Sequence, residues 1–549
     1  MKIVIVGGVA AGASAATKAR RTNEDAEIIL LEKGEYVSFA NCGLPYYVGG
    51  TIQRRDNLLV VSENMLRTRY NIDVRTSNEV VKINRDRKTI TVVNHKEGKT
   101  YEESYDKLIL ATGARPFTLP FLNDKTNSFT VFTINDVDRI KGYIKEGHLK
   151  KAVVIGAGYI GMETVEQLSI SGIEVTLVEL KDSILPQFDK ELTNLLEHEL
   201  KNRGVRVKTG LSVVSANYKD DRIVSVVLSN GDVIETDAVF QTAGVIPNTE
   251  LAKDAGLEVN RGIVVNKFMQ TSDPDIYAAG DSVEIKSLIL NKDTWIPLAG
   301  PANKEGRIAG LNAAGGNMEF VGALGSSIIK VFDFAIAKVG LNENDCKQYG
   351  IKYNATIVHP LHHAGYYPGG KSLTIKLLFD PDDGTILGVQ VLGREGVDKR
   401  ADVVATAMYA KLKVFDLENL DLVYAPPFGS AKDPIIMAGM TAANIVRKEV
   451  NNILPDKVKE LIGNQEYAII DVRTPEEYEF GHIEGAINIP VDELRKRIDE
   501  VPKGKKIIAY CGVGFRSYHA CLILKSKGFE CFNMSGGYTS WRMYFPEID

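Results

Sequence analysis

The residue best placed for chemistry is Cys42, in the stretch Ser-Phe-Ala-Asn-Cys-Gly-Leu-Pro at residues 38–45. A single cysteine is most often a buried packing residue, so its surroundings decide the interpretation. Gly43 and Pro45 interrupt regular structure directly after it, which predicts the start of a helix or a turn. Backbone N–H groups at such a position stabilise a thiolate. We therefore expect a reactive cysteine with a lowered pKa.

A second candidate nucleophile, Cys511, follows a predicted strand at residues 507–510. The next residues, Gly-Val-Gly-Phe-Arg-Ser at 512–517, run into a predicted helix. Two glycines and Arg516 before a helix form a cradle of convergent N–H groups for an anion. Phe515 is placed to exclude water from the sulfur. The pattern predicts a cysteine that carries a charged sulfur species.

Two glycine loops predict nucleotide binding. The first, Gly-Gly-Val-Ala-Ala-Gly at residues 7–12, lies between a β-branched strand and an alanine-rich helix. The next predicted strand, 27–31, ends on Glu32, at the distance of an acid that binds a ribose hydroxyl. Val9 replaces the middle glycine of the motif. The pattern is nevertheless that of a Rossmann unit.

The second loop, Gly-Ala-Gly-Tyr-Ile-Gly at residues 156–161, has all three glycines. It follows a strand at 152–155, and the next strand, 174–178, ends on Glu179. Two such units in one chain indicate two bound dinucleotides. Glu179 would accept a hydrogen bond from the 2′-hydroxyl of NADH and repel the 2′-phosphate of NADPH.

Length and composition bound the class of protein. The 549 residues predict three or four domains, with 44% apolar and 25% charged residues and a net charge of −5. This charge argues against a nucleic-acid partner, and no apolar run approaches the roughly 18 residues of a membrane span. The five cysteines form no C-x-x-C pair and no metal-ligand spacing. Since the chain opens directly into a strand, we expect a cytoplasmic protein with reduced thiols and no metal.

Two connecting segments complete a recognisable pattern. Ala-Thr-Gly-Ala-Arg-Pro at residues 111–116 follows an apolar strand, and Tyr-Ala-Ala-Gly-Asp at 277–281 ends another. With the paired nucleotide folds, residues 1–446 resemble the two-dinucleotide-binding flavoprotein disulfide reductases. The resemblance implies FAD on the first unit, with Asp281 near its ribityl or pyrophosphate portion. It implies NADH on the second unit, with NADPH as the other candidate, and a homodimer made through the third domain.

The cofactor-binding residues that the resemblance implies lie in the glycine loops and in the segments that follow neighbouring strands. They are Gly7, Gly8, Ala11, Gly12, Glu32, Lys33, Asn41, Ala111, Thr112, Gly113, Gly156, Gly158, Tyr159, Ile160, Gly161, Glu179, Gly244, Asp281 and Ala299.

The C-terminal part resembles the single-domain rhodaneses. Asp-Val-Arg at 471–473, Gly-His-Ile-Glu-Gly-Ala at 481–486 and the Cys511 loop stand in order. The resemblance implies a sulfane sulfur held on Cys511 and stabilised by Arg516. His482 is assigned no catalytic role, and Cys521 and Cys531 are interpreted as packing residues.

The predicted fold class is α/β: two Rossmann-like dinucleotide-binding domains for FAD and NAD, an α+β dimerisation domain and a C-terminal α/β rhodanese domain. The predicted domains are FAD binding at 1–115 and 245–320, NAD(P)H binding at 116–244, dimerisation at 321–446, a linker at 447–456 and rhodanese at 457–549.

The surroundings of Cys42 narrow the reaction. Many members of the reductase family carry a second cysteine five residues on, where this chain has Tyr47. The redox partner of Cys42 is therefore either a peroxide oxygen or the thiol of a small molecule. Peroxidases and NADH oxidases of the family carry a histidine at the place of Ala10, so peroxide chemistry is disfavoured.

The form S-F-A-N-C-G-L-P-Y resembles the coenzyme A-disulfide reductases and their rhodanese-fused relatives. This implies reduction of coenzyme A persulfide, polysulfide or coenzyme A disulfide through Cys42. Two alternatives stay open: a flavin NADH oxidase or peroxidase, and a rhodanese module that serves only for sensing or docking.

The same resemblance assigns further residues. Tyr367 and Tyr424 would come from the partner subunit and donate a hydrogen bond or a proton to a developing thiolate. The coenzyme A site implied by the match consists of Ser14, Lys18, Arg21, Ser38, Asn41, Arg69, Asn303 and Lys432. Lys18 and Arg21, at i and i+3, share one helix face.

Overall fold

The computed structural model describes residues 1–546, so the last three residues of the predicted rhodanese domain lie outside the described part. The chain forms two compact units. The first unit contains residues 1–182 and 203–325; the second contains residues 183–202 and the chain from residue 326 onward. None of the helices in residues 1–546 is both long and apolar enough to cross a bilayer.

Two parallel sheets organise the first unit. Their inner strands are mainly apolar because both faces of each sheet are covered there. The first sheet has the strand order Ile276–Ala278, Lys107–Leu110, Lys2–Val6, Glu27–Glu32, Asp73–Thr76. The second has the order Arg206–Lys208, Glu174–Val178, Lys151–Ile155, Ala238–Gln241, Ser128–Phe129.

The central strand of each sheet leads into a glycine loop and a helix, Ala10–Thr22 in the first and Tyr159–Ile170 in the second. The prediction of two Rossmann-like domains is confirmed. The helix Ala10–Thr22 packs closely against Ala299–Ala313 because both present alanine and glycine at their contact.

Smaller elements complete the first unit. Its remaining strands, sheet by sheet, are Asn78–Asn84, Thr89–Asn94 and Lys99–Ser104; Val213–Lys219, Arg222–Leu228 and Val233–Glu235; Ala114–Pro116 and Val245–Pro247; and Ile263–Val264, Val283–Ser287 and Lys292–Thr294. Its remaining helices are Leu44–Val48, Glu63–Tyr70, Ile134–Lys145 and Glu250–Asp254, with short 3₁₀ turns at Asn41–Gly43, Arg55–Leu58 and Pro120–Leu122.

The second unit contains an antiparallel sheet with helices, which confirms the predicted α+β domain. The strand order is Ser327–Val331, Phe334–Gly340, Ile386–Gly393, Leu373–Phe379, Asn354–Val358. Its helices are Lys190–Asn202, Glu343–Tyr349, Val397–Tyr409, Val414–Leu417 and Pro434–Val446.

A parallel sheet follows in the same unit and confirms the predicted C-terminal α/β fold. The strand order is Asn451–Ile453, Cys531–Met534, Lys506–Tyr510, Tyr467–Asp471, Ile487–Asn488. Its helices are Pro455–Leu461, Pro475–Glu479, Phe515–Ser526 and Gly537–Tyr544, with a 3₁₀ turn at Ile498–Glu500.

The prediction of a linker at 447–456 is wrong for its second half. Strand Asn451–Ile453 lies within it and pairs in parallel with Cys531–Met534. This strand is not predicted because Asn451 and Asn452 are of a residue type that is rare in strands. An edge strand tolerates asparagine. Asn452 Nδ2 also donates to the Ala355 carbonyl over 2.7 Å. The C-terminal α/β fold is therefore hydrogen-bonded to the edge strand Asn354–Val358 rather than tethered by a free segment.

Candidate active site

The first glycine loop is held closed by Glu32 at the end of the neighbouring strand. Gly8 N–H donates to Glu32 Oε2 over 2.7 Å, and Gly34 N–H donates to Oε1 over 2.7 Å. A Cβ at Gly12 would collide with the Gly7 carbonyl, so only glycine lets the helix start this close to the strand. The loop therefore presents backbone N–H groups at a helix N-terminus, an arrangement that fits a pyrophosphate.

The second glycine loop repeats this arrangement. Ala157 N–H donates to Glu179 Oε2 over 2.6 Å, and Lys181 N–H donates to Oε1 over 2.8 Å. Gly158 faces open space, since a Cβ added there meets no atom within 4 Å. This loop also fits a dinucleotide, and Glu179 holds it in shape.

The other predicted cofactor residues in the first unit lie at strand ends or helix starts. Ala111, Thr112 and Gly113 follow the strand Lys107–Leu110, and Ala111 N–H donates to the Val6 carbonyl over 2.8 Å. The remaining ones are placed as follows: Ala11 in the helix Ala10–Thr22; Lys33 after Glu27–Glu32; Asn41 in the turn before Cys42; Tyr159 and Ile160 at the start of Tyr159–Ile170; Gly244 after Ala238–Gln241; Asp281 after Ile276–Ala278; and Ala299 as the first residue of its helix.

Cys42 lies in the exposed 3₁₀ turn Asn41–Gly43. Its partial burial and the carboxylates of Glu163 and Asp281 raise the pKa of the Cys42 thiol. The expected lowering of this pKa is therefore wrong for the protein chain. The helix that follows, Leu44–Val48, has only five residues, so its dipole cannot offset two carboxylates and burial.

Tyr46 and Glu163 are neighbours of Cys42 that sequence reasoning missed. The Tyr46 hydroxyl donates to Glu163 Oε1 over 3.1 Å, and burial raises the pKa of Glu163 to about 7. Glu163 lies in the first turns of the helix after the second glycine loop, whereas Asp281 follows a strand of the first sheet. Cys42 therefore lies within electrostatic reach of both nucleotide-binding folds.

The predicted coenzyme A residues of the first unit include two that are in contact. Ser14 Oγ donates to Asn303 Oδ1 over 2.8 Å between the helices Ala10–Thr22 and Ala299–Ala313. Lys18 and Arg21 lie on the first of these helices, and Arg69 lies on Glu63–Tyr70, which packs against it. Within residues 1–546, these three cations form no ion pair with a carboxylate.

Two further residues of that predicted site lie near Cys42, and one belongs to the second unit. Ser38 is buried with a φ of 48°, and Asn41 is exposed. Lys432 is exposed at the start of the segment that enters the helix Pro434–Val446.

The tyrosines predicted to act on the thiolate lie in loops of the second unit. The hydroxyl of Tyr424 lies 2.7 Å from that of Tyr366, whereas the Tyr367 ring packs edge-on against His363 at 5.5 Å between centroids. Tyr367 and Tyr424 are both partly exposed, at 42% and 47%. Tyr366 is therefore the direct partner of Tyr424, a relationship that sequence spacing does not reveal.

The Cys511 loop directs hydrogen-bond donors at the sulfur of its cysteine. The thiol is 1% exposed, and its sulfur accepts from Gly514 N–H over 3.2 Å and from Ser517 Oγ over 3.5 Å. Arg516 forms a bidentate ion pair with Glu477, both contacts being 2.7 Å. The sequence revealed Cys511 and Arg516 but not the acid that pairs with the arginine.

Cys521 and Cys531 lie buried in the core of the C-terminal α/β fold, where their sulfur atoms are 2.6 Å apart. Burial raises the pKa of Cys521, with a further contribution from Cys531. Their burial agrees with packing residues, whereas their spacing along the chain does not predict that they are neighbours.

Comparisons with known families match the chain along most of its length. Residues 1–306 match the pyridine nucleotide-disulphide oxidoreductase family, and residues 326–433 match the dimerisation domain of the same name. Residues 454–544 match the rhodanese-like domain.

Individual relatives agree with these families. A coenzyme A disulfide reductase of Staphylococcus aureus (strain bovine RF122 / ET3-1) is 35% identical over 80% of this chain and 99% of its own. The reduced Bacillus anthracis CoADR-RHD structure has a TM-score of 0.97 and 45% identity, covering 100% of this chain and 98% of the other. An NAD-dependent persulfide reductase from A. fulgidus has a TM-score of 0.91 and 38% identity, covering 98% and 100%. This chain therefore belongs to the pyridine nucleotide-disulphide oxidoreductase family, with a rhodanese-like domain in its C-terminal part.

Proposed function

We propose that this oxidoreductase uses NADH to reduce coenzyme A persulfide, polysulfide or coenzyme A disulfide through the single redox cysteine Cys42. One observation carries the proposal: carboxylates from both nucleotide-binding folds, Glu163 and Asp281, act electrostatically on Cys42, and Tyr46 in the helix that follows Cys42 donates to Glu163. A thiol in this position can exchange electrons with a cofactor pair held by the two glycine loops. FAD, when bound, supplies two-electron transfer between the nicotinamide and this sulfur.

Cys42 acts as the nucleophile toward the sulfur substrate. Its thiolate attacks the outer sulfur of a persulfide or one sulfur of a disulfide, and the other sulfur leaves as a thiolate. Among the described residues, no second thiol stands in the turn to resolve the adduct. The oxidised protein should therefore carry coenzyme A or sulfur covalently on Cys42.

Unpaired cations support coenzyme A as the carrier. Lys18, Arg21 and Arg69 have no carboxylate partner within residues 1–546, while the neighbouring Arg67 is paired with Glu63 at 2.7 Å. Cations left free on packed helices suit the phosphates of a nucleotide. The names of the S. aureus relative and of the B. anthracis structure point to the same substrate class.

The rhodanese fold suits the same sulfur chemistry. A sulfane sulfur on Cys511 would be stabilised by the Gly514 N–H group and the Ser517 hydroxyl. We propose that Cys511 takes such a sulfur from a donor and exchanges it with the coenzyme A thiol. The name of the A. fulgidus relative, a persulfide reductase of similar length, supports this assignment.

The dimerisation-domain match supports a two-fold dimer, in which Tyr367, Tyr424 and Lys432 would complete the partner's site. Sedimentation of the active enzyme tests this assembly. A catalytically competent monomer would refute it.

Turnover of NADH with different electron acceptors tests the reaction. Coenzyme A persulfide, polysulfide and coenzyme A disulfide are compared under anaerobic conditions, and oxygen and hydrogen peroxide are supplied as acceptors in separate parallel assays. At least one sulfur acceptor should exceed both oxygen species in kcat/KM, and Cys42→Ser should abolish this activity while keeping the visible absorbance of bound FAD. Intact mass before and after thiol reduction should show an adduct on the wild-type protein only.

Faster turnover with oxygen or peroxide would instead favour an oxidase. The water-forming NADH oxidase from Lactobacillus brevis shares 27% identity at a TM-score of 0.78, but it covers only 82% of this chain. Position 10 is an alanine, whereas peroxide chemistry in this family is expected to need a histidine at that place. The sulfur reductase is therefore the favoured function.

A further inference from the structure

The arginine of the Cys511 loop, Arg516, is neutralised by a carboxylate. Nη1 and Nη2 of Arg516 donate to the two carboxylate oxygens of Glu477, each over 2.7 Å. Arg516 also interacts electrostatically with the Cys511 thiol, so the pair stands beside the reacting sulfur. A Cβ added to Gly512 would lie 3.6 Å from Arg516 Nη2 and 4.0 Å from Glu477 Oε1. The ion pair therefore borders the loop directly after the nucleophile.

Glu477 is fixed in this position by its own helix. It occupies the third position of the helix Pro475–Glu479, where the Thr474 backbone N–H donates to Glu477 Oε2 over 3.0 Å. The Thr474 hydroxyl accepts from the Glu477 backbone N–H in return, over 3.3 Å. This capping box holds the carboxylate toward Arg516. The Arg516 guanidinium lowers the pKa of Glu477 to about 2, so the acid is ionised throughout the neutral range.

The second arginine near the loop is neutralised as well. Arg473 is buried and forms an ion pair with the buried Asp471, with 2.6 Å between Nη2 and Oδ2. Its guanidinium lies 4.3 Å from the centroid of the Tyr538 ring, and Tyr538 N–H donates to the Cys511 carbonyl over 2.7 Å. Among the described residues, Arg516 and Arg473 are each paired with a carboxylate, so these two ion pairs together carry no net charge.

These two ion pairs do not supply the uncompensated positive charge that stabilises a small dianion. The loop instead exposes two apolar side chains, Val513 at 46% and Phe515 at 67%, which can contact an organic donor. We infer that Glu477 makes the Cys511 site selective for an organic persulfide and against inorganic thiosulfate. This inference rests on the sulfur-carrying role proposed for Cys511.

The transfer step is balanced for both donors. With an organic persulfide, the Cys511 thiolate bonds to the outer sulfur, the donor S–S bond breaks, and the thiolate R–S⁻ leaves, so that Cys511 becomes Cys–S–SH. With thiosulfate, the same attack expels sulfite as a dianion and leaves Cys–S–S⁻. The Glu477 carboxylate opposes the second reaction more because the charge of the departing group is larger.

The test measures loading of Cys511 in the full-length enzyme by peptide mass, with thiosulfate or pantetheine persulfide, whose organic body is uncharged. In the unaltered enzyme, we expect kcat/KM for the persulfide to exceed that for thiosulfate at least about tenfold. Glu477→Gln should raise kcat/KM for thiosulfate at least about tenfold, equivalent to about 1.4 kcal/mol, and change that for the persulfide less than about threefold.

Two control variants isolate the charge. Glu477→Asp keeps the carboxylate and should keep the preference, and Glu479→Gln removes an exposed acid from the same helix and should leave both rates unchanged. Equal wild-type rates with the two donors, or an unchanged ratio in Glu477→Gln, would overturn this inference alone. Failure of both donors to load Cys511 would overturn the proposed role of the rhodanese fold as well.

Discussion

The Tyr46 hydroxyl donates a hydrogen bond to Glu163 across 117 residues of sequence, and both groups lie beside Cys42. Burial raises the pKa of Glu163 to about 7, so this acid changes charge in the neutral range. Below that pH it is neutral; above it, its carboxylate opposes formation of the Cys42 thiolate. The reactivity of Cys42 is thus coupled to an acid contributed by the second nucleotide-binding fold.

Glu163→Gln should therefore lower the pKa of Cys42. The pH midpoint for iodoacetamide alkylation of Cys42 in the reduced holoenzyme should shift downward, since the amide cannot acquire negative charge. Glu146→Gln, at an exposed position, is the matched control and should leave the midpoint unchanged. An upward shift, or none, would show that Glu163 does not act on this thiol.

Tyr424→Phe should slow reduction of the sulfur substrate by about 10²-fold or more, the lower range for loss of a general acid. The Tyr424 hydroxyl lies 2.7 Å from that of Tyr366, so Tyr366→Phe should have a smaller effect by removing only its partner. Stopped-flow spectroscopy separates this step from flavin reduction by NADH, which should be unaffected in both variants. Equal slowing of both steps would instead indicate a general loss of folded, active enzyme. Tyr409→Phe removes an exposed tyrosine hydroxyl elsewhere and is the control.

Lys18→Ala and Arg21→Ala should each raise KM for coenzyme A disulfide by about tenfold, the equivalent of about 1.4 kcal/mol. Both cations are unpaired among the described residues and would contact phosphate. KM for polysulfide should stay the same because it has no nucleotide. Lys99→Ala removes a surface cation paired with Glu97 and serves as the control. Parallel changes with both substrates would place these residues outside a coenzyme A site.

Glu179 should set the choice of nicotinamide. Its carboxylate is buried against the second glycine loop, where it can accept from a ribose hydroxyl and repel a 2′-phosphate. We expect kcat/KM for NADH to exceed that for NADPH by at least about tenfold. Glu179→Ala should reduce this ratio. Steady-state rates that are equal for the two cofactors in the wild-type enzyme would disprove the assignment.

Lys376 should be essential for stability of the second unit. Its buried ammonium contacts Asp189 at 2.7 Å, Glu343 at 2.6 Å, and Glu191. Lys376→Met would remove the buried counter-ion that three buried carboxylates share, leaving Glu343 with the exposed Lys347, and should reduce the free energy of unfolding by about 3–5 kcal/mol. Urea unfolding followed by circular dichroism measures the change. Lys347→Met, which removes an exposed partner of Glu343, should lower the free energy of unfolding by no more than about 1 kcal/mol. Equal losses of stability in the two variants would contradict the special role of Lys376.

Local sequence was sufficient for the features that short-range backbone geometry controls. Gly12 and Gly161 identify tight loops because a side chain at either position would strike the carbonyl oxygen five residues earlier. The acids Glu32 and Glu179 follow at the distance that one strand–helix–strand unit imposes. The cysteine loop at Cys511 is equally local, since its glycines and the following helix N-terminus are consecutive residues.

Tertiary structure decided what distant groups do to these local features. The sequence around Cys42 predicts a stabilised thiolate, yet the approach of Glu163 and Asp281 raises its pKa. The sequence predicts Arg516 as an unpaired cation, whereas in the structure Glu477 of the helix at 475–479 forms an ion pair with it. Because charges act through space and burial is a property of the whole fold, neither effect could be read from residue spacing.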